Sequence, residues 1–79
     1  MLRSERGIPL AYLAAGTRGV IRGLADDSER AQRLVALGVT PGAHVCVLQT
    51  FPGIIFQCDQ TELVVERDVA RTILIDIEE

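Results

Sequence analysis

His44, Cys46 and Cys58 are the only imidazole and thiol groups in the chain. Together they are its only candidates for a divalent transition-metal site, since thiolate and imidazole suit such ions. His44 and Cys46 are two apart, so on a strand they share a face. Cys58 joins them only if a hairpin sets it opposite Cys46. A loop of Phe51-Pro52-Gly53 would do this. A four-residue loop over Thr50–Gly53 instead pairs Val45 with Cys58 and Val47 with Phe56. That register gathers four apolar residues on one face and turns His44 and Cys46 outward. A one-residue slip separates the two arrangements. Apolar matching favours the second, in which Cys58 behaves as a small hydrophobe. No metal or other cofactor is then expected.

Catalysis has less to build on. The single His has no nucleophile at a recognisable spacing, and no C-x-x-C occurs. Gly16-x-x-Gly19 lacks the Lys of a phosphate loop and leads into a strand, not a helix. The chain has 79 residues, enough for one small domain that buries roughly 60% of its unfolded surface. Such a core leaves little room for a deep catalytic cleft, so a binding or regulatory module is expected, not an enzyme. Eight Arg and no Lys stand against eleven acidic residues, for a net charge of −3. That balance has no general attraction for phosphate backbones. With only Tyr12, Phe51 and Phe56 as aromatics, nucleic acid is not an expected partner. No apolar run approaches the ~20 residues of a membrane span, so direct insertion is not expected either. Arg3, Glu5 and Arg6 stand where a signal peptide would carry its apolar run. A reduced, cytoplasmic protein is the expectation.

The elements that would position these residues are short. Residues 1–7 read as a flexible arm, and residues 8–79 as one domain. Pro9 makes Ile8–Leu13 an edge segment or lead-in, because proline removes a ladder donor. Gly16–Gly19 reads as a turn, and Val20–Leu24 as the first strand. Gly19 and Gly23 mark bends or close approach. Asp26 with Glu29 resembles a capping box, Asp27 adds charge, and Ala31, Leu34, Val35 and Leu37 form one apolar helix face. Arg30 and Arg33 lie on the other side. Gly38 ends the helix in a left-handed conformation and Val39 folds back onto it. His44–Gln49, Ile54–Cys58, Thr61–Val65 and Thr72–Ile77 read as strands, and Glu66–Ala70 as one helical turn. The fold class is mainly β: a small barrel whose closure removes sheet edges, with one α-helix inserted after the first strand.

Arg33-Leu34-Val35-Ala36-Leu37-Gly38-Val39-Thr40-Pro41-Gly42 resembles the R-L-x-x-L-G-h-x-P-G segment of the ferrous-iron transport protein A (FeoA) family, where h is apolar. Gly19-Val20-Ile21, Val45-x-Val47, Leu63-x-Val65, Asp68-x-Ala70 and Ile73-x-Ile75 match the family's flanking segments. The likeness runs over residues 8–77. It implies an SH3-like barrel that serves as a cytosolic accessory of the ferrous-iron transporter FeoB, by contact with that protein's GTPase part. The same fold closes metal-dependent repressors of the DtxR type, so the alternative is a module that regulates such a repressor or binds a metal directly. In that alternative the ion is Fe2+ or another divalent transition metal at His44, Cys46 and Cys58. The 51–55 hairpin departs from many relatives, which carry a longer loop with Gly and Pro reversed.

A GTPase partner gives Arg33 a conceivable role as an arginine finger; its plainer role is a solvated helix arginine beside Glu29. The residues nominated for partner contact are Arg33, Val39, Phe51, Pro52 and Ile54, the last three at or beside a hairpin tip. The same three would otherwise close the barrel end. Glu62, Glu66 and Asp68 form an acidic edge. Exposed strand edges also allow weak homo-oligomers.

Overall fold

The computed structural model describes residues 7–26 and 28–78. Six strands are present: β1 (Ile8–Pro9), β2 (Arg18–Leu24), β3 (His44–Gln49), β4 (Ile54–Cys58), β5 (Thr61–Val65) and β6 (Ile73–Ile77). They form one antiparallel sheet in the order β1-β6-β2-β3-β4-β5. Helix α1 (Glu29–Ala36) joins β2 to β3, and α2 (Arg67–Ala70) is one turn between β5 and β6. A 3-10 turn over Leu10–Tyr12 follows β1. The arm expected over residues 1–7 falls outside the described residues except for Gly7.

Two expectations about the architecture are corrected. The helix follows the second strand, because Ile8 and Pro9 pair with Ile75 and Leu74 as an edge strand. Closure by backbone pairing is also absent: among the described residues β1 and β5 are not hydrogen-bonded to each other. Pro9 explains part of this. A two-residue strand that lacks one N–H has little ladder to offer a second neighbour. The 3-10 turn and α2 pack together at that seam instead.

The core residues come from every strand but β1 and β5. Leu10, Ile21, Val39, Val47, Ile54, Phe56, Ile73 and Ile75 are the largest fully buried side chains. Burying each such side chain contributes about 1.5–3 kcal/mol against the entropy of ordering it. Leu63, Val65 and Val69 pack on this cluster from the β5 side. No buried polar or charged side chain occurs among the described residues.

Both glycines expected at irregular points of β2 sit at such points, and only Gly19 is required by its surroundings. A Cβ on Gly19 would run into the Asp76 carbonyl oxygen and the Ile75 side chain, so only glycine lets β6 come this close. Gly23 follows a register shift opposite β6, with Arg22 as the extra residue. Arg22 Nε then reaches Asp76 Oδ1 at 2.8 Å.

The helix start differs from the expected one. Ser28, not Asp26, is the N-cap: its Oγ accepts from Ala31 N–H at 3.3 Å. Asp26 instead accepts from the Ser28 hydroxyl at 3.2 Å, holding the cap from behind. Asp27 lies outside the described residues. The helix end is as expected. Gly38 has φ +103°, Gly38 N–H donates to Val35 O, and Val39 N–H donates to Leu34 O. These two bonds make a Schellman motif, and Val39 is buried by it. Only part of the expected apolar face is inside. Ala31 and Leu34 are buried, whereas Val35 and Leu37 are exposed. An eight-residue helix on a small sheet has a narrow contact stripe, which two positions fill.

Candidate functional site

The β3–β4 hairpin decides where the chemistry-bearing residues point. Val45 pairs with Cys58, and Val47 with Phe56, leaving residues 50–53 as the loop. This is the register that apolar matching favours. Val45, Val47, Phe56 and Cys58 are all buried, His44 is exposed and Cys46 half-buried. The three nominated metal ligands therefore do not converge. Cys58 faces inward, where its thiol donates to Gly38 O at 3.5 Å. Burial pushes that thiol upward in pKa, and the neighbouring Asp59 charge adds to it. A protonated, enclosed sulfur is a poor metal ligand. Among the described residues no group of three His, Cys, Asp or Glu side chains is placed to hold an ion.

His44 and Cys46 instead line a shallow groove of about 400 Å³ with Arg18, Gln57, Asp59 and Glu78. Asp59 has φ +54° and its carboxylate accepts from His44 N–H at 3.0 Å, which fixes the β4–β5 turn against β3.

The residues nominated for partner contact separate into two groups. Val39 and Ile54 are buried, so their side chains leave the candidate surface. Val39 is consumed by the helix stop, and Ile54 begins β4 on its inward face. Phe51 and Pro52 are exposed, Phe51 to 79%. Arg33 is also exposed and, among the described residues, has no ion pair; the expected contact with Glu29 is not formed. The neighbouring Arg30 reaches Asp68 Oδ2 at 3.4 Å and joins α1 to α2.

The strands around the hairpin tip carry further exposed apolar side chains that the residue pattern did not single out. On the outward face of the sheet, Ile55 pairs with Val64, and Val64 is 67% exposed. Gly53 lies against Val64, which brings the hairpin tip beside β5. Leu48, exposed at the irregularity between Val47 and Gln49, borders the same hairpin. The tip is also tethered: Arg67 Nη2 donates to Thr50 O at 2.8 Å, and Nη1 to Ala11 O at 3.2 Å. The one available signal was Leu63-Val64-Val65, an apolar run in a strand whose alternation must turn one member outward.

The six-strand antiparallel domain shares the SH3-like fold of its structural neighbours. The FeoA domain profile matches residues 8–77, and the chain belongs to the FeoA domain family. FeoA from Chlorobium tepidum is 30% identical, with a TM-score of 0.81 over 89% of this chain and 70% of that one. FeoA from Stenotrophomonas maltophilia, solved in complex with zinc and described as a procaryotic SH3 domain protein, is 22% identical. Its TM-score is 0.78, over 85% of this chain and 87% of that one. A manganese-dependent transcriptional repressor solved with manganese is 16% identical, with a TM-score of 0.85 over 99% of this chain and 40% of the repressor. The last two likenesses concern the fold alone. No curated protein sequence matches the chain. No helix among the described residues is long and apolar enough to cross a membrane.

Proposed function

We propose that this protein is an accessory of ferrous-iron transport that acts by binding the cytosolic GTPase part of the transporter FeoB. The family match over residues 8–77 carries the reading. A role as a ferrous-iron transport activating factor has been suggested for the S. maltophilia relative. The surface suits the task. Phe51 and Pro52 project from a tip whose backbone Arg67 holds in place, so an exposed aromatic is offered at low ordering cost. Arg33 is exposed on α1, without an ion pair among the described residues, and suits a charge-assisted contact with the partner.

The test is capture of detergent-solubilised FeoB by the purified chain, with and without a GTP analogue. Saturable capture that Phe51→Ser weakens supports the reading. A folded chain that captures nothing in either nucleotide state overturns it. A likeness to repressors at under a fifth identity adds no comparable support for the repressor-regulating alternative.

A further inference from the structure

One edge of the sheet is blunted and the other is not. β1 has two residues and contains Pro9. β5 has five residues, without Pro or Lys, and pairs only with β4 among the described residues. The direction of its free backbone groups follows from one bond. Asp59 N–H donates to His44 O on β3. By alternation, Cys58, Phe56 and Ile54 turn their N–H and C=O toward β5. Their partners are Thr61, Leu63 and Val65, which spend their own groups on β4. The backbone N–H and C=O of Glu62 and Val64 therefore point away from the sheet.

The side chains along this edge have a charge pattern. Glu62 and Val64 face outward, and Glu66 follows with extended backbone at φ −77°, ψ 162°. The row on the outer face reads acidic, apolar, acidic. Ile55 continues the apolar position into the sheet. Asp59 adds negative charge at one end, whereas Asp68 at the other is paired with Arg30. Arg67, which follows Glu66, is committed to the Ala11 and Thr50 carbonyls.

We propose that β5 is a docking edge for an extended segment of a partner protein that carries Arg or Lys, then an apolar residue, then Arg or Lys, at alternate positions. Such a segment adds a strand by bonding to the Glu62 and Val64 backbone. Its apolar side chain lies against Val64, which Ile55 backs on the next strand, and its cations face Glu62 and Glu66. A second copy of this chain fits badly. Antiparallel pairing with Val64 on Val64 sets Glu62 against Glu66 twice. Parallel pairing in register sets each glutamate on its own kind. Like charges directly opposite are destabilising in a sheet. The inference does not depend on the partner being a transporter.

The probes are three short synthetic peptides: Arg-Thr-Val-Thr-Arg, whose Arg, Val and Arg share one strand face (the Arg/Val peptide), Glu-Thr-Val-Thr-Glu (the Glu/Val peptide), and a scrambled Arg/Val control. Binding to the full chain is followed by amide chemical shifts and amide exchange. The Arg/Val peptide should bind about tenfold more tightly than the Glu/Val peptide, from two attractive pairs replaced by two repulsive ones. It should protect the Glu62 and Val64 amides and weaken with salt. Glu62→Gln with Glu66→Gln should abolish the discrimination, and Glu62→Arg with Glu66→Arg should reverse it. The glutamine pair keeps the test usable if the arginine pair perturbs the fold. Equal binding of both charge types, shifts confined to the 50–53 tip, self-association through β5 without peptide, or no binding each overturns the proposal.

Discussion

Arg67 Nη1 donates to the carbonyl oxygen of Ala11 at 3.2 Å, across the seam where the two ends of the sheet fail to pair. Ala11 follows β1, and Arg67 follows β5. The second nitrogen reaches Thr50 O at 2.8 Å, so one planar guanidinium holds three chain segments at once. A lysine cannot supply that fork. Arg67→Ala is expected to cost about 1–3 kcal/mol, since bonds with a charged partner are the stronger ones. Arg67→Lys should recover less than half. Urea denaturation of the three proteins checks this, and an Arg67→Ala midpoint equal to wild type would refute it.

Gly19 and Gly23 lie four apart in β2 but predict opposite outcomes. At Gly19 a Cβ meets backbone of β6, which cannot move without breaking the ladder. Gly19→Ala should destabilise by about 1–3 kcal/mol, as overpacking does. At Gly23 a Cβ meets nothing within 4 Å among the described residues. Gly23→Ala should be neutral or stabilise by about 0.4–1 kcal/mol, through the unfolded chain. Thermal melts of both variants make the comparison.

Those two glycines also show how the fold could be read in advance. Their place in a strand marked close approach and a bulge, and both occur. The β3, β4 and β5 boundaries followed from β-branched runs punctuated by Pro-Gly and Asp-Gln, and the hairpin register followed from matching Val45 and Val47 to Cys58 and Phe56. The helix stop was legible because Gly38, Val39 and Pro41 each act locally. The helix start was less so: Asp26 and Ser28 are both residue types that cap, and it is the Ser28 hydroxyl that meets the Ala31 N–H. Long-range facts were the hardest. Whether Val35 and Leu37 are covered depends on how much sheet lies beneath α1. Whether Ile54 or Phe51 closes the domain depends on the bend of the hairpin. Arg67 carries no sequence signal of the two carbonyls it joins, fifty-six and seventeen residues away.

The two cysteines should behave differently toward alkylating reagents. Cys46 is half-buried at the groove and should react in the folded protein; Cys58 should react only on unfolding. The Cys58 thiol is raised in pKa by burial and then by Asp59. Its unfolded value is about 8.5. Below that pH both states hold the proton and there is no effect. Above it the unfolded chain releases the proton while the folded chain still holds it, so stability falls as pH rises. Cys58→Ala should flatten this alkaline loss in a series of urea midpoints. A slope equal to that of the parent chain would show that Cys58 is not the group responsible.

His44 and Cys46 face the groove while Cys58 faces the core, so metal retention should not depend on the three acting together. In equilibrium dialysis against Zn2+, His44→Ala, Cys46→Ser and Cys58→Ala are expected to leave the bound stoichiometry equal to that of the parent chain. A shared site would behave otherwise, because loss of one ligand of a closed set removes most of the affinity. A stoichiometric signal lost in all three variants would require the hairpin to shift by one residue, which turns every side chain of β4 over. That shift would expose Phe56 and Cys58 and bury Gln57. It would therefore be accompanied by a large loss of stability, and the dialysis and denaturation results together separate the two registers.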